Sequence, residues 1–454
     1  MIKPKKYILS LAVGLGLFAN AQAVDLIGVY ELAQSHDAEI RAAEQRLRAA
    51  GEIPDIARSS LLPTISGSAG MNRGSSRTKV AGNKLGSQDT DTENWGLQLR
   101  QSIYDDANYG QLDRGRAELS VAEGAYREAW QDFLLRVTER YFDVLTALDS
   151  VRFARAEEAA LKRQFEQAEQ RYEVGLAAVT DVHEAQAVYD ASRARVIVAE
   201  NLEEDAREAL REITGTWFEN FARLTTDVPL DSPDPSSVEE WVKLALDYNP
   251  RVLQQRSQLD VAEADLRIAR AGHLPTLDLT AGYTNSKNNK WVGRDPVTQE
   301  PMLSATMNNR GWDAGLQLNV PIFSGFAVQS RRRQAGYNLR ATDAALAQIE
   351  RALTRQTETA YRSIIAGIQE VEARRQALVS ARSAQEATNA GFDVGTRTIV
   401  DVLEAEQRAF QAERDYSNAR HQLVLNHLLL RQSAGVLDED DLEWINQFLV
   451  NQSG

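Results

Sequence analysis

The chain has 454 residues, with 51 basic against 65 acidic side chains, a formal charge of −14 and no cysteine. The missing cysteine excludes disulfides, thiolate metal sites and a lipid-modified N-terminal cysteine. The acidic surplus turns the chain away from nucleic acid and anionic surfaces.

Taken in chain order, the first element is a predicted signal peptide over residues 1–23. Lys3, Lys5 and Lys6 precede an apolar run from Tyr7 to Phe18, and Ala21-Gln22-Ala23 has the small-x-small spacing of a cleavage site. A run of about a dozen residues is short of the roughly 20 that a membrane-spanning helix needs. No later stretch is long and apolar enough for one, so any membrane crossing falls to strands. Helical spacing over 26–62 then reaches Leu62-Pro63-Thr64, and Pro63 disfavours helix in the residue before it. Period-two alternation follows, with Ile65, Gly67 and Ala69 opposing Thr64, Ser66 and Ser68. A returning strand sets Trp95, Leu97, Leu99 and Ile103 against Gln98, Arg100 and Ser102. Next comes a proline-free helix over 105–174, about 100 Å long at 1.5 Å per residue. Its heptads show in Leu134, Tyr141 and Leu148, and in Val137, Val144 and Val151. Gly175 is placed to end it, and a helix over 181–214 follows, with Ala185, Ser192 and Ala199 forming a coiled-coil seam.

The same order then recurs. A helix over 238–272 leads to Leu274-Pro275-Thr276, and strands carry Leu277, Leu279, Ala281 and Tyr283, then Ala314, Leu316, Leu318, Val320 and Ile322, on one face. A long helix over 324–394 ends at Gly395, and a helix over 401–434 repeats the seam as Ala405, Ala412 and Ala419. Matched anchors stand 212 residues apart at the Leu-Pro-Thr motifs, 219 at the two Gly-Leu-Gln-Leu segments and 220 at Tyr172-Glu173-Val174-Gly175 and Phe392-Asp393-Val394-Gly395. This is an internal duplication, with a first repeat over 24–225 and a second over 226–454 that includes a C-terminal segment.

Strands of about ten residues, apolar on one face and polar on the other, have the pattern of an outer-membrane barrel, with Trp95, Tyr104, Tyr283, Trp312 and Phe323 as interfacial aromatics. A half-buried soluble sheet alternates in the same way; the signal peptide and the long helices favour the barrel. Four strands cannot close one, and lipid does not tolerate open edges. Identical copies must therefore each add four strands; two copies give eight, three give twelve, and composition leaves both open.

The duplicated Leu-Pro-Thr and Gly-Leu-Gln-Leu segments, and above all Val394-Gly395-Thr396-Arg397-Thr398-Ile399-Val400-Asp401-Val402-Leu403, resemble the TolC family of outer-membrane efflux proteins over about 26–442. The resemblance implies an α+β membrane protein whose antiparallel coiled coils form a trimeric α-barrel. A twelve-stranded transmembrane β-barrel, four strands per chain, would continue it. It also implies a collar from 215–237 and 436–454, and helix-to-strand swivels at Pro63 and Pro275. The implied function is that of an exit duct for tripartite efflux pumps and type I secretion, exporting drugs, small toxic molecules or proteins. The implied partners are a periplasmic adaptor, an inner-membrane transporter of the resistance-nodulation-division, ABC or major-facilitator type, and outer-membrane lipid.

The turns after the long helices carry the expected control. An acid followed three residues later by Glu, at Asp181 with Glu184 and at Asp401 with Glu404, is similar to a capping box. The resemblance implies a periplasmic gate at Thr180, Asp181, Phe392 and Arg397, and an acidic constriction at Asp401 and Glu404. Arg397 is suited to a charge-assisted hydrogen bond with Asp181 or Thr180 across neighbouring helices. Phe392 stands where the family has tyrosine, so it lacks a hydroxyl for that network. Glu404 stands where aspartate is usual. Adaptor docking is implied at Val174, Gly175 and Leu176 and at Val394, Gly395 and Thr396.

No enzyme motif, cofactor site or metal site is read. His36, His183, His273, His421 and His427 are scattered, and the last two are six apart rather than on one helix face. Arg331-Arg332-Arg333, just past a strand end, meets either lipid headgroups or solvent. The alternative function is a structural coiled coil anchored in the outer membrane without transport.

Overall fold

The computed structural model describes residues 23–80, 83–225, 231–292, 297–298 and 306–450. The predicted signal peptide therefore lies outside the described residues, apart from Ala23. The first half contains α1 (Leu26–His36), α2 (Ala38–Gly51), α3 (Ile53–Ser59), β1 (Thr64–Val80), β2 (Asn83–Tyr104), α4 (Asp106–Glu173) and α5 (Val179–Thr214). After β3 (Arg223–Leu224) come α6 (Val238–Tyr248), α7 (Pro250–Ala271), β4 (Thr276–Val292), β5 (Met307–Asn319), α8 (Ala327–Asp393) and α9 (Ile399–Ala434). The chain ends with α10 (Glu439–Asn446) and β6 (Leu449–Val450).

The long helices match their predicted spans to within a few residues, at 68 and 67 residues. The predicted helices 26–62 and 238–272 are instead broken. Asp37 ends α1 and accepts the Glu39 backbone N–H at 2.7 Å, starting α2. A proline in its first turn starts α3. Asn249 caps α7 through the Arg251 N–H at 2.9 Å, with Pro250 as its first residue. Proline is tolerated there because that N–H has no helical partner.

Two compact units divide the chain. The first comprises Met1–Ile40, Trp130–Ala245 and Arg355–Gly454. Its core follows the heptads of α4, where Leu134, Val137, Tyr141, Val144 and Val151 are all buried, while Leu148 is half-buried. The α5 seam of Ala185, Ser192 and Ala199 is buried; in α9 only Ala405 of the matching three is. There Val402, Leu403, Leu423, Leu428 and Leu430 take over the core. The segments expected to form a collar hold α10 and a two-stranded sheet, with Arg223 opposite Val450 and Leu224 opposite Leu449. Residues 226–230 and 451–454 of that expectation are outside the described residues.

The second unit comprises Arg41–Ala129 and Leu246–Thr354. Its sheet is antiparallel in the order β1-β2-β4-β5, leaving β1 and β5 as open edges among the described residues. Pro63 and Pro275 stand directly before β1 and β4. The register aligns Ile65, Leu99, Ala281 and Ala314 in one row and Gly67, Leu97, Tyr283 and Trp312 in the next. That face is apolar and uncovered, with Trp312 80% and Leu316 68% exposed; Trp95 and Tyr283 meet at 5.4 Å. The opposite face pairs Arg100 with Asp278 at 3.3 Å.

At 17, 22, 17 and 13 residues the strands exceed the predicted ten. Pairing continues past the apolar rows on polar cross-strand links, Arg73 to both Asp91 oxygens at 2.7 and 3.0 Å and Thr92 to Asn288 at 2.6 Å. No helix among the described residues is long and apolar enough to cross a membrane.

Candidate functional site

Every tip residue singled out in the sequence lies in the first unit, where α4 turns into α5 and α8 into α9. Both long helices stop in the same way. Gly175 and Gly395 take φ of 77°, a left-handed conformation open to glycine at little cost. The Leu176 N–H reaches the Arg171 carbonyl and the Gly175 N–H the Tyr172 carbonyl, at 2.8 and 2.9 Å. Thr396 to Gly391 and Gly395 to Phe392 repeat the pair at 2.8 and 3.0 Å. These are the two bonds of a Schellman motif.

The starts of the next helices differ, and they correct the predicted capping boxes. Asp181 and Asp401 are not the N-caps; Ala178 and Thr398 are. Thr398 and Asp401 form a full box, with the Thr398 N–H and hydroxyl both donating to the Asp401 carboxylate at 2.9 Å. The Asp401 N–H donates back to the Thr398 hydroxyl at 3.3 Å. Those two Thr398 donors, with Arg397 and Arg408 nearby, hold the Asp401 carboxyl below its ordinary range. Ala178 has no side-chain oxygen to offer, and the Asp181 N–H donates to the Ala178 carbonyl instead, at 3.1 Å.

A shared apolar cluster lies under both tips. Leu161 and Ala168 of α4, Ala185 of α5, and Ile399, Val402 and Leu403 of α9 form it, and Phe392 packs against it. The Phe392 ring also carries the Arg171 guanidinium 4.7 Å from its centre, a cation–π contact that the sequence reading missed. Arg397 is exposed and folds its stem over Gly391; within the chain it hydrogen-bonds neither Asp181 nor Thr180. Thr180 is exposed and Asp181 half-buried. Val174, Leu176 and Val394 stand out into solvent at 69%, 71% and 75% exposure.

Glu404 is also exposed, and Arg408, one turn further on, pairs with it at 2.5 Å. That partner is legible from the Glu-to-Arg spacing of four, which places both on one helix face. Deeper in the bundle, Glu157 is buried between Arg195 at 2.8 Å and Arg414 at 3.0 Å. Glu406 is buried and accepts from Gln385 at 2.7 Å. Burial pushes its carboxyl above the ordinary range. Among the described residues no group of three or more His, Asp or Glu side chains is placed to hold a metal ion.

Comparison with known proteins shows the family of the chain. The outer membrane efflux protein family matches residues 29–216 and 241–436. The outer membrane protein TolC of Vibrio cholerae is 36% identical over 439 residues, which cover 96% of this chain and 97% of that protein. The alkaline protease secretion protein AprF of Pseudomonas aeruginosa is 29% identical, over 94% of this chain and 87% of its own. Among solved structures, the outer membrane protein VceC of Vibrio cholerae superposes with a TM-score of 0.72 at 18% identity, covering 90% of this chain and 96% of that one. The chain belongs to the outer membrane efflux protein family.

Proposed function

We infer that this outer-membrane exit duct works as a homotrimer, each chain adding four strands to a twelve-stranded barrel and its long helices to an α-barrel below. The four-stranded sheet, with two open edges among the described residues and one exposed apolar face, supports the need for identical copies, and the number three rests on the resemblance to the family. Lipid does not tolerate the open edges, so they require neighbouring copies. Residues 24–225 and 226–454 are then two structural repeats behind a cleaved signal peptide at 1–23. Pro63 and Pro275 are the swivels between helix and strand.

The tips close the duct towards the inner membrane. Arg397, which makes no hydrogen bond or ion pair among the described residues, reaches Thr180 or Asp181 of an adjacent copy. Phe392 holds the tip through packing and the Arg171 contact rather than through a hydroxyl. Asp401 and Glu404 form an acidic ring with threefold repetition, which binds cations as charged pore rings do. Arg408 on Glu404 reduces that ring's free charge. The exposed Val174, Gly175 and Leu176 and Val394, Gly395 and Thr396 form the docking edge for a periplasmic adaptor. An inner-membrane transporter of the resistance-nodulation-division, ABC or major-facilitator type completes the assembly. Protein cargo is supported by the likeness to a protease secretion protein; no cofactor is required.

The test is conductance of the purified protein in a planar bilayer. Ion conduction with block by a multivalent cation from the tip side only is expected. Asp401→Asn with Glu404→Gln should abolish the block, and Arg408→Gln should strengthen it. A monomer that conducts nothing would favour the structural coiled coil.

A further inference from the structure

Between β5 and α8 the chain runs Val320-Pro321-Ile322-Phe323-Ser324-Gly325-Phe326. Val320 and Ile322 continue the apolar parity of β5, and Ile322 is 94% exposed. Phe323 and Phe326 meet edge-on at 5.4 Å, both exposed. Phe326 takes φ of 65°, rarely adopted by a bulky side chain. Such backbone strain persists only where the surrounding structure holds it and clusters at functional sites, and here it accompanies an exposed aromatic pair.

The first turns of α8 lie beside that pair. Arg332, Arg333 and Arg340, together with Arg270 from the last turn of α7, line a concavity of about 510 Å³ that has no acidic side chain in its walls. None of the four forms an ion pair among the described residues. Arg333 reaches only the Ser330 hydroxyl at 3.3 Å, and Arg340 lies 5.7 Å from the Tyr337 ring. Other arginines of α7 are satisfied. Arg267 bridges Asp106 and Asp113 at 2.8 and 2.6 Å, and Arg251 meets Glu128 at 2.5 Å. In a chain of net charge −14, four guanidinium groups gathered without a counter-charge call for an anion from outside.

Height and neighbours say which anion. The apolar sheet face ends at Leu277 and Leu318, and Arg332 is about 8 Å into α8 by helical rise. Arginine beside exposed aromatics at the margin of an apolar band is the arrangement of a membrane interface. The planar guanidinium matches phosphate oxygens in pairs. We propose that the Arg270–Arg332–Arg333–Arg340 concavity binds the phosphodiester of an anionic phospholipid of the periplasmic leaflet, with Phe323 and Phe326 among the adjoining acyl chains. This rests on the reading of the apolar sheet face as the membrane face.

The test is native mass spectrometry of the lipid-depleted full-length protein, offered phosphatidylglycerol or phosphatidylcholine with the same chains, alongside insertion into vesicles. Preferential retention of phosphatidylglycerol is expected. Arg332→Gln with Arg333→Gln should weaken it by about fivefold per arginine, from the usual strength of a basic residue at an anionic surface. Arg332→Lys with Arg333→Lys should keep part of it, and Arg267→Gln should leave it unchanged. Equal retention of the two lipids overturns the site, as does inorganic phosphate binding as tightly as the lipid. Glutamine variants that come apart into monomers without losing lipid preference put a second copy's acids in the concavity instead. A wild-type chain that never enters vesicles overturns the membrane face and this site with it; an inserted chain without lipid preference overturns the site alone.

Discussion

The tip between α4 and α5 and the tip between α8 and α9 share one turn geometry, yet they are held by different means. Both carry the same glycine stop, with φ of 77° and the same pair of backbone bonds. Beyond the glycine, one reads Leu176-Ala177-Ala178 and the other Thr396-Arg397-Thr398. The second adds a bond from the Thr396 hydroxyl to the Gly391 carbonyl at 3.0 Å and a full capping box on Asp401. The first adds exposed apolar surface at Leu176 and Val179 and no cap. The two tips share the helix stop, which backbone geometry dictates, and differ in the helix start. The polar tip is locally fixed; the apolar tip is held by what it packs on, which suits a surface that a partner covers.

The largest effect should erase the difference. Leu161 is fully buried in the cluster beneath both tips, so Leu161→Ala should cost about 2–5 kcal/mol and loosen both. Hydrogen exchange at 174–184 and 394–404 reads this; protection lost at one tip only would mean that the cluster is not shared. Next come the glycines. A Cβ on Gly175 or Gly395 meets nothing within 4 Å, so alanine there adds only left-handed backbone strain, about 1–2 kcal/mol at each. Equal losses in thermal stability are expected, and unequal ones would show that the two stops are not equivalent. Thr398→Ala should cost about 1 kcal/mol, the usual worth of a cap. Ala178→Thr should gain a similar or smaller amount, because Ala178 already has the extended backbone of an N-cap. If the two substitutions move exchange rates in the same direction, the cap is not what separates the tips.

Much of this contrast stands in the sequence. A Thr three residues before Asp401 is a capping signature, and the shift of the box by one partner follows from taking Thr398 rather than the acid as the cap. The long helices are legible because nothing in 106–173 or 327–393 breaks them, and Asn249-Pro250 is a readable helix start. Three features depend on residues far apart in the chain. Asp37 ends α1 partly because Arg136 of α4 pairs with it at 2.8 Å. The strands run past their apolar rows with polar cross-strand links such as Arg73 to Asp91 beside them. Phe392 lies under Arg171, a neighbour brought by the helix pairing and invisible to local pattern. That Phe392 has no hydroxyl to offer is plain in the sequence; the contact it makes with Arg171 is not.

The smallest expected effect separates the cap from the core by pH. Asp401 has a folded carboxyl held below its unfolded range by Thr398. Its stabilisation is present above the unfolded pKa and lost as pH falls through the folded one. The protection difference between wild type and Thr398→Ala should therefore shrink towards the acid end of that window. Glu406, on the same helix, has the opposite sign, because burial raises its folded carboxyl. Its contribution is fully present below the unfolded glutamate pKa and is lost as pH rises through the raised value. Mild acid should then tighten the bundle at Glu406 before stronger acid loosens the tip at Asp401. Glu406→Gln should flatten the first change and leave the second, and exchange rates for 398–404 and 405–412 followed from neutral to acid pH measure both. If Glu406→Gln also removes the acid loosening of the tip, the two carboxyls act as one unit, and the second tip is not held by its own cap.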